Sequence, residues 1–365
     1  MKIKDVVRFL EGIAPLSLQE SYDNAGLILG NSEIECKGIL TALDVTEQIV
    51  AEAVQRNCNL IVAHHPLIFR GLKKLNGKNY VERTVISAIK SDIAVYAIHT
   101  NLDNVLKGVN HKIAEKLQLQ NCTTLLPKGG TLQKLVTFSP LSHAEEVRNT
   151  LFKAGAGSVG NYDQCSFNVA GTGTFRAGEG SDPFVGKIGE PHSEEEKRIE
   201  VVFPSFLQAH LVQALKEGHP YEEVAYYIHE LENLQEGVGS GLTGTLPDPV
   251  SENELLEILK SAFKLTVIKH TPFLHKPVTK IAVCGGAGIF LLPHAMASGA
   301  QVYITGDVKY HEYFDADKRI LLADIGHYES EQFTIELLTD FLQEKFSNFA
   351  VLKTEINTNP VNYFT

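Results

Sequence analysis

Short apolar runs alternate with amphipathic stretches along the first third of the chain. Gly38–Val45 (GILTALDV) is almost continuously hydrophobic, as a strand covered on both faces would be. Asn59–His64 and Ile93–His99 repeat that pattern. Thr46 is placed to cap a helix running through Arg56, and Glu47 complements its positive end. Two more amphipathic segments predict helices over 80–90 and 109–117. Such a βαβαβα order implies a mostly parallel sheet with helices on its faces.

The pattern changes near Pro127-Lys-Gly-Gly130. Strands are expected over 132–138, 168–175, 198–203 and 223–231. One helix opens at Ser142 and runs through Lys153, and another opens at Ser205 and runs to about Glu217. Arg176–Gly189 is glycine-rich and reads as a loop. The resulting βαββαβ order is the ferredoxin-like split unit. After Gly237–Gly241, βα alternation resumes. Ser251 caps a helix to Phe263, and strand Lys280–Cys284 runs into Gly285-Gly-Ala-Gly288 and a helix over 289–298. Strands 301–305 and 320–324 flank a short helix near Tyr310, and Glu329–Lys345 closes the series. The expected fold is therefore α/β: a discontinuous core with mostly parallel sheets, formed by residues 1–127 and 234–365. A ferredoxin-like α+β domain over 128–233 interrupts it.

Composition narrows the class. With 44% hydrophobic and 21% charged residues, the chain can bury a core and is not disordered, collagen-like or a coiled coil. A net charge of −11 repels phosphate backbones and argues against nucleic-acid binding. Cys36, Cys58, Cys122, Cys165 and Cys284 are scattered, odd in number and without a CxxC pair. That suits reduced thiols in a cytoplasmic protein rather than a disulfide framework or a thiolate zinc site. No apolar run reaches the ~18–20 residues that span a bilayer. The first residues mix charge into an amphipathic pattern and lack the apolar stretch of a secretory signal. No membrane association is expected.

Four places put histidines and carboxylates at the C-terminal ends of predicted strands, where open parallel sheets hold ligands. The first is His64-His65-Pro66; adjacent strand residues point apart, but both can serve one site where the strand ends. The second is His99-Thr-Asn-Leu-Asp103, with Asp103 as an oxygen ligand and His99 as a supporting donor. In the third, Asp324-Ile-Gly-His327-Tyr-Glu-Ser-Glu331, the residues His327 and Glu331 share one face of a helical turn. The fourth, Thr305-Gly-Asp307 with His311 nearby, reads as supporting or substrate-contacting. Each alone has a plainer explanation in turns, caps or satisfied loop histidines. Together His64, His65, Asp103, His327 and Glu331 supply three nitrogens and two carboxylates at one sheet edge. That set suits two divalent cations with open positions for water and substrate. Mixed His/carboxylate ligation accommodates Zn²⁺, Mn²⁺, Fe²⁺, Co²⁺ or Ni²⁺, and we expect zinc. Gly285–Gly288 is not a G-x-G-x-x-G fingerprint; its amides could meet an anion, and close strand–helix packing explains it as well.

These motifs, with Tyr22-Asp-Asn-Ala-Gly-Leu27, resemble the NGG-interacting-factor-three-like family, known in bacteria as GTP cyclohydrolase I type 2 homologues. Many members carry Trp where this chain has Tyr22. The resemblance extends to the longer, Gram-positive form, in which a domain similar to PII and CutA proteins interrupts the core. Gly171–Phe175, Pro183–Gly186 and His219–Ala225 look like that insert. The resemblance implies that the residues matching His64, His65, Asp103, His327 and Glu331 bind two metals, in toroidal homohexamers whose sites face an internal cavity. It implies a metal-dependent hydrolase of a nucleotide-like or small phosphorylated substrate, such as the purine ring of GTP. His99, Asp307 and His311 would act as supporting groups or proton carriers. The competing expectation is a non-enzymatic metal- or metabolite-sensing scaffold that binds protein partners.

Overall fold

The computed structural model describes residues 1–364. The chain divides into two compact units, Met1–Leu126 with Gly237–Thr365, and Pro127–Glu236.

Two sheets build the first unit. One orders its strands Gly26–Leu29, Ala94–Ala97, Leu60–Ala63, Ile39–Ala42 and Val351–Lys353. The other runs Lys269–His270, Leu321–Asp324, Val302–Thr305, Val278–Val283, Gly239–Val250 and Gln120–Pro127. The central neighbours are parallel in both: Ile39–Ala42 with Leu60–Ala63 and Ala94–Ala97, and Val278–Val283 with Val302–Thr305 and Leu321–Asp324. Antiparallel strands flank them, Gly26–Leu29 on the first sheet and Lys269–His270 and Gly239–Val250 on the second. Ile39–Ala42, Leu60–Ala63, Ala94–Ala97, Val302–Thr305 and Leu321–Asp324 are buried along their whole length, which accounts for their largely apolar runs. A single core joins the two sheets. Leu60, Val62 and Tyr96 from one share it with Ile281, Ile304 and Leu321 from the other, along with Leu259 and Leu338 from helices. Helix Glu47–Gln55 begins where Thr46 Oγ1 accepts from the Ile49 amide, and Glu252–Ala262 begins with a capping box from Ser251 and Glu254.

The second unit is a four-stranded antiparallel sheet ordered Phe167–Arg176, Pro191–Pro204, Leu132–Pro140, Tyr226–Glu230. Helices Ala144–Lys153 and Gln208–Gly218 cover one face, where Val147, Leu151, Leu211 and Leu215 meet Leu135, Ile199, Val201 and Phe203. Strand Pro191–Pro204 is far longer than its apolar segment, because Pro191–Lys197 faces no helix and shows no hydrophobic alternation. The preceding helix starts at Ala144 with His143 as its N-cap, and Ser142 hydrogen-bonds the His143 ring instead of capping. The closing helix is broken into His327–Glu331 and Thr334–Lys345. Among the described residues no helix is long and apolar enough to cross a membrane. All five cysteines are free.

Candidate metal centre

Strand Leu60–Ala63 leaves the ladder at His64 and His65, whose amides still donate to Ala42 and Leu43. Leaving the pleat removes the up–down alternation. The two rings then sit side by side, centroids 4.9 Å apart at 46°. The neighbouring strand Ala94–Ala97 ends earlier than expected, so His99 lies beyond it as the N-cap of a short helix, Thr100–Asp103. In the second sheet, strand Leu321–Asp324 exits through Gly326 at φ +93, and the turn His327–Glu331 follows. Both clusters therefore stand at C-terminal strand ends of two different sheets within one unit.

Glu331 is the meeting point. One carboxylate oxygen lies 3.0 Å from His65 Nε2 and 3.1 Å from His327 Nε2, and the two imidazole nitrogens are 3.4 Å apart. The other oxygen is 3.8 Å from His64 Nε2, which is also 3.8 Å from Asp103. Two groups have donor atoms within 4.8 Å of one another and could hold a metal ion: His65, His327 and Glu331, and His64, His65 and His99. His99, expected as a supporting donor, thus stands beside the others as a candidate ligand.

Each histidine is anchored through the other ring nitrogen. Nδ1 of His64 donates to the Ile98 carbonyl at 2.9 Å, Nδ1 of His65 faces Asp44 at 2.8 Å, Nδ1 of His99 faces Asp23 at 2.7 Å, and Nδ1 of His327 faces Asp307 at 2.7 Å. An acceptor at Nδ1 fixes the tautomer with the lone pair on Nε2, the arrangement that supports metal-bound histidine. The clearest case is His64. Burial holds its ring neutral, and its fully buried Nε2 has no hydrogen-bond partner. An orphaned acceptor in that position is costly unless a cation or water meets it.

The electrostatics describe a site competing for positive charge. Burial lowers the His65 pKa, but Asp44 and Glu331 outweigh it and raise the pKa to about 10. The same opposition, with Glu331 and then Asp307, takes His327 to about 9. Burial pushes the Glu331 carboxyl up, yet three surrounding histidines hold it well below the usual range. Asp103 goes the other way, held well above the usual range by burial and by the Glu331 charge. A divalent cation reverses that local logic by favouring carboxylates and neutral imidazoles.

A cavity of about 940 Å³ opens over the cluster, with Tyr22, Phe69 and Phe290 exposed in its wall. Cys284 lines it as well, but burial, Asp103 and Glu331 push its thiol far up, so it is no nucleophile. The Gly285–Gly288 turn is a packing device. Its amides at Gly285, Gly286 and Gly288 donate to Asn110, Ser330 and Thr305 side chains. Asp307, at φ +55, reaches His327 as a supporting group. His311 is exposed beside Tyr310 and does not line the cavity. Sequence reasoning passed over Asp23 and Asp44 as functional residues. Asp44 ends the first apolar run, a position equivalent to those of the chosen candidates, and this was the available signal.

The sequence matches the family model described as Duf34/NIF3 (NGG1p interacting factor 3) over residues 1–360. A protein of Halalkalibacterium halodurans named GTP cyclohydrolase 1 type 2 homolog is 38% identical over 363 residues, covering 98% of both chains. The Bacillus subtilis protein of that name is 34% identical over 365 residues, covering 99% of this chain and 98% of its own. Among solved structures, a Bacillus cereus protein related to NIF3 superposes with a TM-score of 0.87 at 36% identity. That match covers 100% of this chain and 99% of the other.

Proposed function

The chain belongs to the Duf34/NIF3 family, and on that premise we propose that it is a dinuclear metal-dependent hydrolase acting on a nucleotide-like or small phosphorylated substrate. The observation that carries the reading is the set of four histidines with Nδ1 anchored, three of them with Nε2 3.0–3.8 Å from Glu331 and the fourth, His99, beside His64 and His65. His64, His65, Asp103, His327 and Glu331 would hold the two divalent cations, zinc first among the candidates, and His99 would add a further donor. The cations supply Lewis acidity, activating water and neutralising charge that develops on the substrate.

The chain's own residues do the rest. Asp44, Asp23 and Asp307 keep His65, His99 and His327 in the tautomer that presents a lone pair. Thr358 Oγ1, 2.5 Å from Asp44, fixes that carboxylate in turn. Exposed rings of Tyr22, Phe69 and Phe290 offer stacking faces for a planar base, and the cavity is of a size for one nucleotide. Lys269, which also lines it, is committed to Asp324 at 2.5 Å, so substrate phosphates would be met chiefly by the cations.

The test is anaerobic purification with elemental analysis, followed by turnover assays of the loaded protein on nucleotides and pterin precursors. Near-stoichiometric occupancy of two cations, reduced in His65→Ala and Glu331→Ala together with any hydrolysis, is the expected result. Full occupancy in the double variant would sink the ligand assignment. A fully loaded protein inert across the whole panel would sink the hydrolase and favour a metal-sensing scaffold.

A further inference from the structure

The second unit contains a buried carboxylate that the metal centre does not use. The sheet face opposite the helices walls a half-open cavity of about 680 Å³, within the range of small-molecule sites. Glu196, from strand Pro191–Pro204, sits in its floor with only 8% exposure. One of its oxygens accepts the Tyr221 hydroxyl at 2.8 Å. Among the described residues no Lys, Arg or His lies within ion-pair distance of it. Arg176 and Arg198 also line the cavity; neither pairs with Glu196, and Arg198 donates through Nε to Glu200 at 2.8 Å.

The carboxylate's place is built by its neighbours. A Cβ on Gly173 of the adjacent strand would come within 2.1 Å of Glu196 Oε2, so only glycine leaves the notch in which that oxygen lies. His219 is 2.9 Å from the Phe138 carbonyl through Nε2 and accepts the Tyr221 amide at 3.1 Å through Nδ1, which holds Tyr221 over the floor. Phe175 and Phe184 flank the Tyr221 ring, centroids 6.3 and 6.2 Å away. Three aromatic rings around one buried, unpaired carboxylate are the elements that recognise an organic cation. Aromatic rings attract a cation through their negative quadrupole, and the carboxylate pairs with its charge. A hydrated metal ion is disfavoured by the apolar walls and by the single well-placed carboxylate.

We propose that this cavity binds a small organic cation of the amine, amidine or guanidine class, paired with Glu196 and enclosed by Phe175, Phe184 and Tyr221. The site is independent of the metal centre, and so is its test.

Calorimetric titration of the full-length protein with benzamidine, a planar amidinium, is compared with benzoate, which keeps the ring and inverts the charge. Benzamidine should bind, and benzoate should be weaker by about tenfold or more, the weight of a charge-assisted pair. Glu196→Gln, nearly isosteric, should lose about tenfold in benzamidine affinity while its metal content stays that of the wild type. Gly173→Ala should do the same by displacing the carboxylate. Tyr221→Phe keeps the ring and should retain binding. Equal binding of benzoate and benzamidine, no heat with benzamidine, or Glu196→Gln within twofold of wild type would overturn the assignment. The last result would show the rings alone to be responsible for any binding.

Discussion

Gly286 offers a way to separate backbone strain from damage to the metal centre. It adopts φ +63, and a Cβ there would lie 2.3 Å from Glu331 Oε1 and 3.3 Å from His327 Cε1. Gly286→Ala therefore carries two costs. The left-handed backbone costs roughly 1–2 kcal/mol for any residue with a Cβ. Ordinary contact begins near 3.4 Å, so the Glu331 carboxylate must also retreat by about 1 Å. Oε1 is the oxygen 3.8 Å from His64, and moving it turns the whole carboxylate, which disturbs the 3.0 and 3.1 Å contacts of Oε2 with His65 and His327. Metal–ligand distances tolerate only about 0.2 Å, so affinity should fall by more than the ~10–100-fold typical of a lost supporting contact. Gly299→Ala is the control, since Gly299 adopts φ +79 and a Cβ there meets nothing within 4 Å. It incurs only the backbone cost, a loss of roughly 2–8 °C in melting temperature for a unit of this size, and should keep its cations. Chelator-competition titrations and thermal melts of the metal-free proteins give the two readouts. If Gly286→Ala held cations as tightly as Gly299→Ala, the place given to Glu331 at the centre would be wrong.

Asp44→Asn replaces the charged acceptor behind His65 with a neutral amide and should weaken cation binding by ~10–100-fold in chelator competition. Thr358→Val, which acts on His65 only through Asp44, should cost less; an unchanged affinity in Asp44→Asn would refute the anchoring role. Cation uptake at pH 7 should release at least two protons, because His65 and His327, raised to about 10 and about 9, are both charged beforehand, and Asp103, held well above the usual carboxylate range, adds to the count. Calorimetry in two buffers of different ionisation enthalpy counts them, and a count of zero contradicts the charge assignment. Both values lie above the unfolded ~6.5, so this stabilisation of the metal-free protein is complete below that pH. It is lost as pH rises through about 9 and 10, and melts over that window should fall. Glu52 is buried, which raises its pKa, but Thr354, the Glu355 amide and Arg56 outweigh burial and lower it. Its contribution is present above about pH 4.5 and lost as pH falls further. Glu52→Gln should lower stability at neutral pH by about 1–3 kcal/mol, read by thermal unfolding.

What could be read from the chain divides along physical lines. The parallel strands are apolar from end to end because both faces are covered, so Leu60–Ala63 and Val302–Thr305 announce themselves. Gly26–Leu29 is apolar but only half-buried at its sheet edge, and Lys269–His270 is an exposed edge pair with no apolar run. Their antiparallel pairing makes the sheets mixed at the margins. Pro191–Lys197 hides for a related reason, since its partners are a backbone ladder and an open cavity rather than a core. At the centre, residue type and strand-end position point to His64, His65, Asp103, His327 and Glu331, whose side chains lie close together in the structure. Asp23 could not be found in the same way. It sits far from His99 in sequence, and its 2.7 Å contact exists only once the chain around Thr100 has folded against it.

The layout also says why these residues must be read as one site rather than as four local turns. His64, His65 and His99 leave the first sheet, whereas His327, Glu331 and Asp307 leave the second. Helix His327–Glu331 brings a carboxylate and one histidine together, but the other histidines come from the first sheet, and Glu331 crosses to reach His65. The groups are therefore in register only when the shared core containing Leu60, Tyr96, Ile304 and Leu321 has formed. A cation bound across that junction favours the docked arrangement over any state in which the sheets separate, because such states hold incomplete ligand sets. Metal affinity and the stability of this unit are thus the same free energy seen from two sides.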